Sequence, residues 1–360
     1  MFRHTLKGLL APLCLAPLLL TPCVTARAQA SASRGVSVVV DEAHKRVNVL
    51  IDGRLFTAYI WPDTLKKPVL YPLRAASGTA ITRGFPLEPR AGERADHPHQ
   101  VGFWFTYGDV NGVDFWNNSA ARSREEQTRM GTVRHRRVVN VRSGRSSGEL
   151  TVECDWLMPD GAAVLRETTR FVFRAGPGSR SVERVTTLKA LGRRVVFGDS
   201  KEGLVGLRVR RELEQPSDEP LILTDAEGRT TRVSKADAAK LDASVLTGRY
   251  RSSEGKEGDA VWGTRGRWAT LTGTVGREVF TLALLDHPKN VGHPTYWMAR
   301  GYGLFAANPL GRAAYGGGKD RLNFTLEPGQ AVTFRHRLLI LSGAASTEQV
   351  EAEYGSFSRG

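Results

Sequence analysis

The run Val164-Leu165-Arg166-Glu167-Thr168-Thr169-Arg170-Phe171-Val172-Phe173 is followed by Gly176-Pro177-Gly178 and then by Arg180-Ser181-Val182-Glu183-Arg184-Val185-Thr186-Thr187-Leu188. Both flanking runs are rich in β-branched and aromatic residues, and they alternate apolar with polar. That is the signature of strands half-buried on one face. The glycine–proline–glycine stretch between them is turn chemistry, so the pair reads as an antiparallel hairpin. Runs of the same kind recur at 36–40, 46–51, 55–61, 101–107, 136–141, 149–156, 204–209, 268–275, 278–284 and 331–341. They are punctuated by Asp52-Gly53, Asp160-Gly161 and Glu327-Pro328-Gly329. Helical periodicity is confined to 235–241 and to 347–354, where Ser346 is placed to cap the helix. Many short strands with tight turns and few crossover helices specify an all-β protein, a large antiparallel β-sandwich. The polar stretch 212–258, poor in strand signals, reads as an excursion over the surface of one domain spanning 31–360.

The N-terminus carries Arg3, His4 and Lys7, then a mostly apolar run from Leu9 to Leu20, then Ala26-Arg27-Ala28-Gln29-Ala30. A basic start, an apolar stretch short for a bilayer and small residues at the end are the marks of a secretory signal. The expectation is cleavage after Ala30, export to the periplasm or the extracellular space, and no stable membrane insertion. Loss of Arg3, Lys7 and Arg27 with residues 1–30 lowers the formal net charge from +14 to +11. A basic surface attracts polyanions. The basic residues are nevertheless dispersed, which reads as an arginine-rich soluble surface; the partner expected is a carbohydrate, an acidic polysaccharide being one candidate, and not a nucleic acid. Cys14 and Cys23 would leave with the signal, and Cys154, in the alternating run 150–156, reads as a small core residue.

Three segments place His, carboxylates, amides and aromatics where strands would otherwise be apolar. The first is Asp96-His97-Pro98-His99, continuing to Gly108-Asp109-Val110-Asn111-Gly112-Val113-Asp114-Phe115-Trp116. On an extended backbone His97 and His99 would point the same way and could share a divalent metal or divide acid and hydrogen-bonding roles. The second is Gly198-Asp199-Ser200-Lys201-Glu202-Gly203, two carboxylates flanking a lysine in a glycine-bracketed turn. The third runs from Asp286-His287-Pro288 through His293-Pro294-Thr295-Tyr296-Trp297 to Arg300-Gly301-Tyr302 and Asn308. Aromatic faces beside planar donors and acceptors suit a sugar, whose C–H face stacks and whose hydroxyls need partners. No nucleophile elbow, dinucleotide fingerprint or Cys-x-x-Cys pair occurs, and Gly316-Gly317-Gly318-Lys319 lacks the strand-to-helix context of a phosphate loop.

At residues 96–99, 108–116, 198–203, 293–297 and 303–311 the chain resembles a secreted bacterial family commonly labelled PmoA, or "methane oxygenase PmoA". The resemblance implies a galactose-mutarotase-like sandwich that binds sugars across one concave sheet and works in polysaccharide breakdown. The chain departs from the family pattern at Gln100, Val101, Tyr107 and Met298. At three of these the family carries histidine and at Val101 arginine, so loss of those imidazoles implies altered specificity or lost activity.

The reading expected from the sequence is a carbohydrate-active enzyme working by acid–base steps on a glycoside or free sugar. His97, His99 and His293 would supply imidazoles, with Glu202 and Asp199 as carboxylates. Asn111, Asp114, Trp116, Lys201, Tyr296, Trp297, Arg300 and Asn308 would position the sugar. The alternatives are a non-catalytic glycan-binding protein and a metal-dependent oxidoreductase, which the family label suggests.

Overall fold

The structure is a computed structural model that describes residues 1–2 and 34–360, apart from residue 218. The expected signal sequence therefore lies outside the described residues. The hairpin that decides the class forms as read. Ala163–Gly176 and Ser179–Ala190 pair in antiparallel register from Leu165↔Ala190 to Gly176↔Ser179. Pro177 fixes the first corner and Gly178, at φ 66°, takes the second, where a side chain would be strained.

This hairpin belongs to an eight-stranded antiparallel sheet. Its order is Arg249–Ser252, Trp268–Val275, Glu278–Asp286, Ala331–Ser342, Ser179–Ala190, Ala163–Gly176, Ser147–Leu157, Thr132–Arg142. A nine-stranded sheet faces it, in the order Val36–Asp41, Arg46–Ile51, Arg54–Ile60, Val69–Leu70, Phe103–Tyr107, Gly203–Arg208, Leu304–Asn308, Thr295–Arg300, Arg265–Gly266. Apolar side chains from both sheets meet between them, with Phe105 against Trp156 and Phe334 at centroid distances of 6.4 and 6.0 Å. The result is an antiparallel β-sandwich, the class read from the sequence.

The helix Thr347–Ser358 starts with a reciprocal capping box between Ser346 and Gln349. It covers the far face of the eight-stranded sheet with Val350, Tyr354 and Phe357 over Trp268 and Leu285. The stretch 212–258 is more structured than its composition suggests. It holds a two-stranded hairpin, Ile222–Thr224 with Thr230–Arg232, the helix Lys235–Val245, and an edge strand of the large sheet. It is tied in by buried ion pairs, Arg94 Nε to Glu214 Oε2 and Arg211 Nη2 to Asp242 Oδ1, both at 2.7 Å. Those pairs join residues far apart in sequence, which local patterning does not reveal. Among the described residues no helix is long and apolar enough to cross a membrane.

Candidate functional site

The central strands of the nine-stranded sheet are buried on both faces. Every residue of Phe103–Tyr107 and of Leu304–Asn308 is buried. Phe103, Phe105, Val205, Leu207, Phe305 and Ala307 fill the sandwich core. The alternate positions turn to the opposite face, where Trp104 lies across from Gly206, and Gly206 and Met298 lie across from Ala306. Gly206 is required here, since a Cβ would come within 2.5 Å of Trp104 Cζ2. Trp104, Trp116, Met298, Tyr302 and Leu304 form a second apolar cluster on this face. Along the same rows stand Arg208, Asn308, Tyr296 and Arg300.

One edge of the face is built by the segment 94–100, and its organiser is Arg83. Its guanidinium, 1% exposed, donates to the carbonyls of Asp96 at 2.7 Å, His97 at 3.0 Å and Gln100 at 2.9 Å. His97 adopts a left-handed φ of 43°, uncommon for a non-glycine residue, and Gln100 N donates to its carbonyl. The segment is therefore a turn and not the extended backbone read from the sequence, and its two imidazoles meet edge to face. The His97 ring stacks on Tyr302, while His99 meets His97 edge-on, with 79° between the rings. Asp96 Oδ1 accepts from Arg83 and Arg208, and Arg208 also holds Gln100 Oε1 at 2.6 Å. Burial opposes ionisation of Asp96, but Arg208, His97 and Arg83 outweigh it and hold the carboxyl far below its usual range.

The opposite side of the face is a groove of aromatic rings and one half-buried carboxyl. Tyr296 stacks on Tyr315 with centroids 5.1 Å apart, and Trp262 meets Tyr315 edge-on. The Arg300 guanidinium lies 3.4 Å from the Trp262 ring centre. Glu202 follows the turn at 198–201, and burial raises its pKa above the usual value despite the fields of Lys201, His97 and Arg300. A space of about 1090 Å³ opens beside Trp262, Arg300 and Tyr302 and is walled by Arg232, Lys235 and Ala238 of the 212–258 stretch.

The structure thus brings His97, Glu202, Lys201, Tyr296, Arg300 and Asn308 to one face. Lys201 is exposed and 3.9 Å from Glu202. Asn308 donates to the Ser200 carbonyl at 2.9 Å and fixes the turn that carries Glu202. Other expected residues are spent on the scaffold. Both oxygens of Asp199 accept backbone amides, from Ala313, Ala314 and Leu322. Asn111 bridges Arg194 O and Val196 N. Asp114 closes its own turn onto the amides of Trp116 and Asn117. Trp297 is buried in the sandwich core, and Trp116 is fully buried beneath the opposite face. His293 is drawn elsewhere: its Nδ1 lies 2.7 Å from Asp286 Oδ2 at the end of the eight-stranded sheet. Among the described residues no group of three or more His, Cys, Asp or Glu side chains is placed to hold a metal ion, so His97 and His99 find no third ligand.

Gln100 serves Arg208, and Tyr107 donates to the Gly198 carbonyl. The sequence reading passed over Arg83, Arg94, Arg208, Lys67, Trp262 and Tyr315. Each is an isolated charged or aromatic residue whose role depends on partners remote in sequence.

The chain belongs to a family of unknown function (DUF6807), matched over residues 46–355. No curated protein matches its sequence. Among solved structures it is similar to a galactose 1-epimerase from Lactobacillus acidophilus NCFM, with 10% identity, a TM-score of 0.35, and 87% of this chain against 100% of that one. It is also similar to the GH36 α-galactosidase AgaA from Geobacillus stearothermophilus, with 11% identity and a TM-score of 0.38. There the match covers 87% of this chain and 41% of the galactosidase, so the chain spans less than half of that protein.

Proposed function

We propose that the protein is a carbohydrate-active enzyme of the exported fraction that seats a sugar ring on the outer face of the nine-stranded sheet. The observation that carries this is the meeting of Glu202, its pKa raised by burial, with His97 and Arg300 beside the rings of Trp262, Tyr296 and Tyr315. The rings offer stacking surfaces for C–H faces, and Arg300 and Lys201 flank the place where hydroxyls would sit, while Asn308, fully buried and bonded to Ser200 O and Leu310 N, holds the turn beneath them. A carboxyl whose pKa burial raises keeps its proton to higher pH than an ordinary glutamate and so is the better placed to act as an acid, and a half-buried imidazole is the natural second group.

The chemistry favoured is proton transfer at the sugar, as in epimerisation or elimination. Glycoside hydrolysis by the usual route needs two carboxylates flanking the bond. Here Asp199 and Asp114 are committed to backbone amides, and Asp96 is held by Arg83 and Arg208. The basic surface makes acidic sugars the first to try.

The test is a panel of neutral and acidic mono- and oligosaccharides, followed for binding and for product, with Glu202→Gln and His97→Ala beside the wild type. Turnover lost by at least about 100-fold in both variants, with binding kept within about 10-fold, supports acid–base catalysis. Binding without turnover, equal in all three proteins, sinks that mechanism and leaves a glycan-recognition protein.

A further inference from the structure

A second pocket lies behind the 94–100 turn, away from the groove of Trp262 and Tyr315. It encloses about 340 Å³ and is walled by Leu65, Val69, Phe85, Leu87 and Val101. Six polar residues line it, and four of them, Lys67, His99, Asn118 and Ser119, are each at most 6% exposed, while Thr64 and Lys66 stand nearer the solvent. Buried polar groups ordinarily find partners, and an orphan costs free energy. Yet His99 Nε2, Asn118 Oδ1 and Ser119 Oγ have none. Lys67 Nζ donates to the Trp116 carbonyl at 3.0 Å, which leaves further N–H groups unspent on a three-donor ammonium.

No acid lines this pocket. Burial lowers the Lys67 pKa to about 7, against the field of Asp114, whose oxygens accept from Trp116 N, Asn117 N and Asn117 Nδ2. Lys67 is thus a buried amine without a carboxylate in contact, above a mostly apolar wall, and a carboxylate bound beside it would favour its charged form. The three orphaned polar atoms belong to residues that line the same space. An uncharged ligand would leave the ammonium unpaired, and an inorganic anion would leave the apolar wall empty.

We propose that this pocket binds a small monocarboxylate with an apolar body, its carboxylate on Lys67 Nζ and Ser119 Oγ and its body against Leu65, Val69, Phe85 and Leu87. His99 supports the pairing as a neutral imidazole, since burial, then Lys67 and His97, depress its pKa well below the usual value. Asn118 Oδ1 is an acceptor and suits a hydroxyl carried on the ligand body. The site is separate from the sugar groove and does not depend on the carbohydrate reading.

The probes are benzoate and cyclohexanecarboxylate, with benzyl alcohol and cyclohexylmethanol as uncharged counterparts. They would be titrated calorimetrically into the protein and into Lys67→Met, Leu87→Trp and Glu202→Gln. The expected result is one site per chain, carboxylate preferred over alcohol by at least about 10-fold. Lys67→Met should erase that preference, Leu87→Trp should abolish binding by filling the pocket, and Glu202→Gln should change neither. Leu87 is only partly buried, so its variant remains informative should Lys67→Met fail to fold. Equal affinity for acid and alcohol, binding unaltered by Leu87→Trp, or no carboxylate binding at millimolar concentration overturns the proposal.

Discussion

The imidazole of His97 lies parallel to the phenol ring of Tyr302, with 6° between their planes and 4.7 Å between their centroids. Tyr302 in turn has the Arg208 guanidinium 4.8 Å from its ring centre, so one aromatic ring couples the histidine to the buried charge cluster of the sheet. His97 sits on a left-handed backbone, and this stack together with the Arg83 hydrogen bond fixes its position. Tyr302→Phe keeps both ring contacts and should leave stability within about 1 kcal/mol of wild type. Tyr302→Ala should cost about 3–5 kcal/mol, as for other buried large aromatics. It should also lower sugar turnover more than sugar binding, because the imidazole loses its support. Thermal unfolding and steady-state kinetics of the two variants decide this. Equal turnover in both would show that His97 needs no such support.

Glu202 yields a prediction whose sign follows from burial. Its folded pKa lies above its unfolded value. Such a group contributes stability that is fully present below the unfolded pKa and is lost as pH rises through the folded one. As pH rises the wild type loses that contribution and Glu202→Gln does not, so the variant should be the more stable of the two at pH 7. The advantage should vanish near pH 4, where both side chains are neutral. Chemical unfolding at the two pH values measures the difference, and a variant less stable than wild type at pH 7 contradicts the account. A gain in stability alongside a loss of turnover is the expected mark of a carboxyl kept for chemistry.

Asp96 behaves in the opposite way. Its folded pKa is depressed, so its contribution is present above the unfolded value and is lost only as pH falls toward the folded one. Asp96→Asn leaves Arg83 and Arg208, both at most 1% exposed, without their shared carboxylate. Removing one partner of a buried ion pair costs about 3–5 kcal/mol. The loss should be constant between pH 8 and pH 5 and should shrink below about pH 4, where the unfolded aspartate of the wild type takes up a proton. Denaturant midpoints across that range test it. A loss below about 1 kcal/mol at pH 7 would mean that Gln100 and the backbone carbonyls satisfy the arginines unaided.

The division between what the residues announced and what they concealed follows from the range of the interactions. The hairpin at Pro177-Gly178, the Ser346 cap and the alternating strands of the eight-stranded sheet rest on neighbours in sequence, so they could be read directly. Thr295–Arg300 and Leu304–Asn308 do not read as strands in the sequence, although Phe103–Tyr107, buried on both faces, does: their Tyr, Trp, Arg and Asn residues read as site chemistry instead. The same two strands carry Tyr296, Arg300 and Asn308, which were legible as chemistry because they are polar or aromatic where apolar residues would be expected. Arg83, Arg208 and Glu214 were invisible as a set: their partners lie up to 120 residues away. Asp199 and Asn111 illustrate the converse, since a turn uses the same residue types as a sugar site.

His293 and Asp286 provide the remaining separation of roles. Asp286 is fully buried and receives His293 Nδ1 on one oxygen, with Thr295 N at 3.0 Å, and Asn290 Nδ2 at 2.7 Å on the other. This carboxylate pins the loop 287–294 to the last residue of a sheet strand, and His293 is one of its three hydrogen-bond partners. His293→Ala deletes a single bond to a buried charge while two remain, which should cost about 1–3 kcal/mol. Sugar binding and turnover should stay within about 2-fold of wild type at a temperature where both proteins are folded, because the histidine is engaged with Asp286 and not with the face that carries Glu202. Asp286→Asn should be the more damaging change for stability, since it weakens every partner at once. Pairing unfolding curves with kinetics for these two variants sets structure against chemistry. A large loss of turnover in His293→Ala, with stability nearly unchanged, would bring the loop 287–294 into the reaction after all.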